Sequence, residues 1–266
     1  MIQNQLDNDD FFLRCYYEML QIGYENMKVV GEIGLNHLGS EELAEDLIIH
    51  SIEQGLKNVT FQIREESYYD GSKPHRVALP DSSYEKLISI SKASGVSVGF
   101  ACSDLKKVDY LHSIGAEFWK VLSKDLPNYE LIRKLQETNK EVSVSTGLAS
   151  INEIEKMLSI HREVSLIHTQ LSHSIVDVNL RALDNLRLHG RPVHFGLHAE
   201  DLDVLILSLA FQPNSIWFYI KPEIGTIVPD DVHAIPIRDV GRWINKLETL
   251  QMALGDGEKK SMERMT

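Results

Sequence analysis

The chain has 266 residues, of which 43% are hydrophobic and 25% charged, with a formal net charge of −12. This composition is ordinary for a folded globular protein, and the negative charge excludes nucleic acid and anionic membranes as general partners. The sequence has two cysteines and shows neither a signal peptide nor a long uncharged apolar span, which indicates a cytoplasmic protein. Because the chain is acidic overall, any anionic substrate must be held by a local cluster of donors.

Short apolar runs alternate with amphipathic stretches from residue 28 onward, after a polar start and an aromatic-rich helix in residues 1–27. Strands are predicted at Lys28–Gly34, Asn58–Gln62, Val96–Ala101, Phe118–Leu122, Val142–Ser145, Ser165–His168, Val193–Leu197 and Ser215–Ile220. Helices are predicted at Glu41–Gln54, Ser83–Ala93, Leu105–Ser113, Tyr129–Thr138, Ile151–Leu158, Val178–Leu188, Leu202–Phe211 and Ile237–Ala253. This alternation predicts an α/β fold: a single (β/α)₈ TIM barrel over residues 28–266 with an N-terminal helical extension.

Polar side chains recur where the predicted strands end, which is where a barrel of this type places its active site. They are Glu32, Asn36 and His37; Gln62 and Arg64; Lys120, Ser123 and Asp125; Ser145; His168; and His198 and Glu200. Any one of them alone is more often an ion-pair or turn residue than a catalytic one. Their agreement across six strands favours an active site at the carboxyl ends of the strands.

The end of the first predicted strand carries the most specific pattern, Glu32-Ile-Gly-Leu-Asn-His-Leu-Gly39. It resembles the Glu-Ile-Gly-x-Asn-His-x-Gly signature of the sialic acid synthase family, whose members condense phosphoenolpyruvate with an N-acetylated sugar. The resemblance implies that Lys120, Ser123 and Ser145 hold the phosphate of phosphoenolpyruvate. It also implies that Glu32 and Asp125 handle protons and the attacking water, with Asn36, His37, Gln62 and Arg64 contributing to substrate binding.

The resemblance further implies a divalent metal ion, manganese or magnesium, held by two histidines to polarise the sugar aldehyde. His168 matches the first of them, whereas the second position reads His198-Ala-Glu200. Strand alternation puts His198 and Glu200 on the same side, so the expected set is His168 with His198, Glu200 or both; such a set also accepts iron or zinc. The alternative is that His198 caps a strand and Glu200 begins a helix at its favourable amino end.

Several positions depart from the family pattern, and they concern substrate binding. A lysine of the second strand is replaced by Thr60, although Arg64 on the same strand face can supply a bidentate cation instead. A threonine of the third strand is replaced by Ala101, and the eighth strand is unrelated. The antifreeze-like domain that typical members extend across a dimer has no counterpart, so the loop Arg64–Asp81 or a separate protein is expected to bind the sugar. The resemblance is compatible with a homodimer.

The leading function is therefore a phosphoenolpyruvate-dependent synthase that joins phosphoenolpyruvate to an N-acetylated hexosamine and releases phosphate. Its partners are these small molecules, without nucleic acid or membrane. The alternative is a catalytically impaired barrel that serves as a sugar-binding or scaffolding subunit in surface polysaccharide biosynthesis, which the changes at Thr60 and Ala101 favour. A third hypothesis, an aldolase with Lys120 as a Schiff base, requires a strongly depressed lysine pKa.

Overall fold

A computed structural model describes residues 27–223, 225, 227–259 and 261. The predicted N-terminal helix therefore lies outside the described residues. The strands are β1 (Lys28–Gly34), β2 (Asn58–Ile63), β3 (Ser97–Cys102), β4 (Phe118–Val121), β5 (Glu141–Ser145), β6 (Ser165–His168), β7 (Val193–Gly196), β8 (Ser215–Lys221) and β9 (Ile235–Pro236). The helices are α1 (Glu41–Glu53), α2 (Asp81–Ala93), α3 (Val108–Ile114), α4 (Tyr129–Gln136), α5 (Ile151–Ile160), α6 (Ala182–Arg187), α7 (Asp203–Ser208) and α8 (Val240–Gln251).

Strands β1 to β8 form a closed parallel barrel, because each pairs with its neighbour in sequence order and β8 pairs back with β1. The predicted (β/α)₈ barrel is thus confirmed, and the short β9 is added to β8. None of the described helices is long and apolar enough to cross a membrane.

One predicted helix starts later than the sequence pattern indicated. The pattern placed a helix at Val178–Leu188, but α6 begins only at Ala182. A short 3₁₀ turn, Ile175–Asp177, precedes it, and Asn179 adopts a left-handed φ of 48°. A residue in that conformation cannot continue a right-handed helix, so the helix restarts beyond it.

The barrel interior has an apolar lower half and a polar upper half. Val30, Phe118, Ile167 and Trp217 form a buried cluster that is separate from the larger core between strands and helices. The ring of Phe118 meets that of Trp217 edge-on at 5.9 Å between centroids. Side chains nearer the carboxyl ends of the strands are polar, so the apolar cluster forms the floor of the site.

The turn after β1 requires glycine at position 34. Gly34 has a φ of +56°, and a Cβ atom added there would lie 2.9 Å from Cε1 of Tyr219. The pairing of β1 with β2 also shifts register between Glu32 and Gly34. The chain therefore turns sharply next to the eighth strand, which brings the signature segment of β1 against β8.

Candidate active site

A buried ion pair joins two strands that are not neighbours in the barrel. Lys120 on β4 and Glu32 on β1 are each 3% exposed, and the Lys120 Nζ donates to Glu32 Oε2 at 2.5 Å. The same ammonium lies 5.5 Å from the ring centroid of Trp217 and 5.6 Å from that of Tyr219. The cation is thus held over the apolar floor by a carboxylate and two aromatic rings.

Two serines and a backbone amide form a small cradle at the ends of the paired strands β4 and β5. The hydroxyls of Ser123 and Ser145 are hydrogen-bonded at 2.8 Å, and the Gly147 N–H donates to Ser123 Oγ at 3.1 Å. A Cβ atom at Gly147 would lie 2.9 Å from Cγ2 of Thr169 and 3.0 Å from Ser123 Oγ. Closely spaced hydroxyl and amide donors near the amino end of α5 suit a small oxyanion.

The predicted proton-handling residue Asp125 lies in the short 3₁₀ turn Ser123–Asp125 after β4. Its carboxylate accepts from the Ser103 hydroxyl at 2.5 Å and from the Lys124 ammonium at 2.8 Å. Asp125 is a buried residue, 7% exposed. Asp125 is therefore held by two hydrogen-bond donors, Ser103 and Lys124. These partners differ from that of Glu32, which is Lys120.

Arg64 follows β2 and is paired locally. Its guanidinium donates to both oxygens of Glu65 at 3.1 Å and stacks 3.9 Å from the ring centroid of Tyr68. The hydrogen bond from Arg64 is the largest of the effects that lower the pKa of Glu65 to about 2. Gln62, two residues earlier on β2, is half-buried. A substrate carboxylate would therefore have to compete with Glu65 to bind the Arg64 guanidinium.

Asn36 and His37, which are adjacent in the signature segment, make different contacts in the structure. The Asn36 amide donates to the Ile220 carbonyl at 2.8 Å and accepts from the Asp230 N–H at 3.3 Å, so it ties β1 to the loop after β8. The His37 Nδ1 accepts from the Gly39 N–H at 3.0 Å, and its ring packs on Phe61 at 6.1 Å. Burial lowers the pKa of His37 to about 4. Because Phe61 belongs to the core between strands and helices, His37 lies away from the ion pair.

Three imidazoles stack at the carboxyl ends of β6 to β8, and we call His173, His198 and His233 the imidazole stack. His233 lies in the middle, with ring centroids 5.1 Å from His173 and 4.7 Å from His198. Tyr219 packs edge-on against His198 and His233, at 5.4 and 5.2 Å. The His173 Nδ1 and the His198 carbonyl oxygen are 2.9 Å apart.

Burial, with a further contribution from nearby positive charge, keeps His198 and His233 of the imidazole stack neutral. It lowers the pKa of His198 to about 2 and that of His233 to about 4, and in both cases the charge of Lys120 adds to the effect. Both ring nitrogens of His233 are buried and have no hydrogen-bond partner. Its Nε2 is 3.8 Å from Asp230 Oδ1, which is beyond hydrogen-bond distance.

Asp230 places a second carboxyl group close to Glu32. Burial, and then repulsion from Glu32, raises the pKa of Asp230 to about 7, although Lys120 acts in the opposite direction. The Asn36 contact fixes the backbone of this residue. Two carboxyl groups therefore share the field of one ammonium, and near neutral pH one of them retains a proton for part of the time.

The structure does not bring the three predicted metal ligands together. His168 faces the helices, since Ile167 occupies the inner cluster; its Nε2 donates to the Val178 carbonyl at 2.9 Å. It lines a cleft of about 630 Å³ between α5 and α6. His198 belongs to the imidazole stack, and Glu200 is exposed. Among the described residues, no group of three His, Cys, Asp or Glu side chains could hold a metal ion. The residues present do not fit the expected metal set.

The central residues that sequence reasoning left without a role are Tyr219, Asp230, His233 and His173. Two sequence signals point to them. Strand alternation puts Tyr219 on the same side of β8 as the inward-facing Trp217, and the spacing Asp230-x-x-His233 follows the last barrel strand. Each signal is short, and both depend on knowing that the loop after β8 folds back over the barrel.

Comparisons with known proteins agree with the fold. The NeuB family model matches residues 44–259. An N,N'-diacetyllegionaminic acid synthase from Campylobacter jejuni is 22% identical over 263 residues, covering 88% of this chain and 79% of the relative. An N-acetylneuraminate-9-phosphate synthase from Mus musculus is 23% identical over 260 residues, covering 87% and 72%.

A crystal structure of N-acetylneuraminic acid (sialic acid) synthetase from Leptospira borgpetersenii, in complex with citrate, has the same fold. It superposes with a TM-score of 0.82 at 21% identity and covers 90% of this chain and 88% of that one. The family match spans most of the barrel, from α1 past α8. On this match, the chain belongs to the NeuB family.

Proposed function

We propose that this barrel condenses phosphoenolpyruvate with an N-acetylated hexosamine aldehyde, giving a sialic-acid-like nonulosonic acid and releasing phosphate. The observation that carries the proposal is the cradle of Ser123, Ser145 and Gly147 at the ends of β4 and β5, with Lys120 of the Glu32–Lys120 ion pair on β4. A phosphate placed in the cradle would bring its anionic oxygens towards two hydroxyls and an amide, at the end of the barrel that also carries the Lys120 ammonium. The names of the relatives support a synthase of this class.

The ion pair gives the proposed site a way to move a proton. When the phosphate group approaches, Lys120 turns part of its interaction from Glu32 to the phosphate oxygens, and Glu32 becomes the stronger base. Glu32 is then positioned to accept a proton from the water that adds to the enol-derived carbon. Asp125, held by Ser103 and Lys124, is the second carboxylate proposed for proton transfer.

Gln62 and Arg64 are proposed to contact the substrate carboxylate at the end of β2. For the substrate to bind, Arg64 must release the Glu65 carboxylate and bind the substrate carboxylate in its place. The Oγ1 of Thr60, on the same strand, is buried and has no hydrogen-bond partner. The loss of a lysine at this position leaves Arg64 as the cation that the proposal assigns to this carboxylate.

The second candidate is a barrel that binds sugar without turnover, as a subunit in surface polysaccharide biosynthesis. The scattered positions of His168, His198 and Glu200 favour it, because the metal site expected from the family resemblance is not assembled from them. The Thr60 hydroxyl, which has no hydrogen-bond partner, also favours this candidate. This candidate predicts sugar binding without release of phosphate.

Purified protein is incubated with phosphoenolpyruvate and the N-acetylated forms of mannosamine, glucosamine and galactosamine, and released phosphate is measured. We expect release that depends on the sugar and that is lost in Ser145→Ala and Lys120→Met. Ser159→Ala, an exposed serine late in α5, is the matched control and should behave as the parent. Sugar binding with no release from any of the three sugars would favour the non-catalytic candidate.

A further inference from the structure

The middle imidazole of the stack is buried without a hydrogen-bond partner. His233 is 4% exposed, and neither ring nitrogen makes a hydrogen bond. A neutral imidazole has one N–H donor and one acceptor nitrogen, so both of its polar functions are unmet. Buried polar groups are nearly always paired in native proteins, so an exception at a functional site is a place where a ligand or a water molecule can supply the partner.

The ring of His233 is nevertheless held in a fixed place. His173 and His198 sandwich it with interplanar angles of 27° and 28°, and Tyr219 meets its edge at 86°. Aromatic packing on both faces and one edge leaves little freedom to rotate. The nitrogens are therefore kept in a defined orientation even though no hydrogen bond fixes them.

Tyr219 connects this imidazole to the proposed reaction centre. The Tyr219 ring lies 5.6 Å from the Lys120 ammonium on one side and 5.2 Å from the His233 ring centroid on the other. Asp230 Oδ1 is 3.8 Å from His233 Nε2. A ligand seated between the cradle and the imidazole stack would thus face a cation, a carboxyl group and an unpaired imidazole.

We propose that His233 binds an oxygen of the acceptor sugar and, with Lys120, provides the polarisation that a divalent metal was expected to provide. The inference rests on the proposed function and specifies how the same site takes its acceptor. An imidazole N–H donates to the aldehyde oxygen, and the ammonium of Lys120 adds a positive field at the same end of the barrel. No set of three metal ligands exists among the described residues to perform this role.

The ligand class follows from the groups that surround the stack. A neutral imidazole donor and a nearby carboxyl group suit a polyhydroxylated, uncharged sugar, whose hydroxyls both donate and accept. The cradle on the opposite side takes the anionic partner. The two substrates are therefore separated by charge, with the anion over β4 and β5 and the neutral sugar over β7 and β8.

The first test is metal binding, which requires no turnover. Manganese is titrated into metal-free protein, and free ion is followed by electron paramagnetic resonance. We expect no stoichiometric binding, and phosphate release that changes by less than about twofold in excess EDTA. One tightly bound manganese that disappears in His198→Ala would overturn the inference.

The second test compares His233→Ala with His233→Gln, which restores a side-chain N–H donor. We expect His233→Ala to lower kcat/KM for the sugar by about tenfold or more, with an unchanged calorimetric affinity for phosphoenolpyruvate, and His233→Gln to recover part of the loss. His112→Ala, an exposed histidine on α3, is the matched control. Equal behaviour of His233→Ala and His112→Ala would contradict the proposal.

The third test separates this inference from the proposed function. The imidazole signals of His233 are identified in NMR spectra by their absence in His233→Gln, and the same three sugars are added with phosphoenolpyruvate present. A shift of these signals supports the inference even if no phosphate is released, in which case only the synthase activity fails. Unshifted His233 signals under conditions where the sugar reacts would overturn it.

Discussion

The two halves of the candidate site differ in how their buried polar atoms are satisfied. Over β4 and β5, the Ser123 and Ser145 hydroxyls and the Gly147 amide hydrogen-bond to one another. Over β7 and β8, aromatic stacking holds the imidazoles in place, and His233 keeps two unpartnered nitrogens. The first half follows the family resemblance, and the second departs from it. The polar groups of the cradle are hydrogen-bonded before a ligand binds, whereas His233 of the imidazole stack gains its hydrogen-bond partner only from a ligand.

The Glu32–Lys120 ion pair lies between these halves, so its removal tests whether they depend on a common centre. Lys120→Met leaves Glu32 buried without a cation, and we expect a loss of about 3–5 kcal/mol in the free energy of unfolding, measured by urea denaturation. Phosphoenolpyruvate affinity should fall as well. Lys28→Met, which removes the partly exposed partner of the exposed Glu141, is the control and should cost about 1 kcal/mol or less. Similar losses in the two variants would contradict the central role of the pair.

A methyl group at position 147 should damage the cradle and leave the imidazole stack intact. The added Cβ would press on the Thr169 methyl at 2.9 Å and on Ser123 Oγ at 3.0 Å. We expect Gly147→Ala to lower the free energy of unfolding by about 1–3 kcal/mol and to weaken phosphoenolpyruvate binding in calorimetry. Leu148→Ala, at the exposed neighbouring position, should do neither. Unchanged phosphoenolpyruvate affinity in Gly147→Ala would place the anion elsewhere.

Asp230 makes the imidazole half sensitive to pH. Burial and Glu32 raise its pKa from 3.8 to about 7 in the folded protein, so between these values the folded state holds a proton that the unfolded state has lost. Its contribution to stability is therefore greatest at low pH and declines as the pH rises to about 7. Asp230→Asn should gain stability relative to the parent as the pH rises from about 4 to 7, on the order of 1 kcal/mol for each pH unit, measured by urea denaturation. A stability difference that is constant over this range would contradict the shifted pKa.

Local sequence patterns were sufficient to predict the barrel. The alternation of apolar strands with amphipathic helices gives the order of the elements, and Ser150 with Glu153 marks the start of α5 as a capping box. The two cradle serines and Lys120 were also accessible, because Ser123, Ser145 and Lys120 lie at strand ends that converge in any barrel of this type, and the family resemblance implies a role for them. These features depend on short segments and on topology.

The direction of side chains along buried strands was not accessible in the same way. Strand β6 reads Ser-Leu-Ile-His, and all of its residues are buried, so no contrast between polar and apolar positions tells which face is inside. A shift of one residue reverses every side chain, and here Ile167 faces inward while His168 faces the helices. The imidazole stack was also missed, since it depends on the loop after β8 returning over β7.

The smallest predicted effect concerns the start of α5, directly after the cradle loop. The Ser150 hydroxyl accepts from the Glu153 N–H at 3.4 Å, and Glu153 Oε2 accepts from the Ser150 N–H at 2.7 Å. Ser150→Ala should lower the free energy of unfolding by about 1 kcal/mol, because one amide donor at the helix start loses its acceptor. Ser159→Ala, in the last turn of the same helix, should change it by less than about 0.5 kcal/mol.

The same variant also measures how far the cradle depends on its helix. Position 150 follows Gly147 by three residues, and the Ala149 N–H donates to the Thr146 carbonyl at 2.9 Å, so the loop between β5 and α5 has its own hydrogen bond. We therefore expect Ser150→Ala to lower stability while phosphoenolpyruvate affinity stays within about twofold of the parent. A larger loss of affinity would mean that the helix start, rather than the serine and glycine contacts, keeps the cradle in its binding geometry.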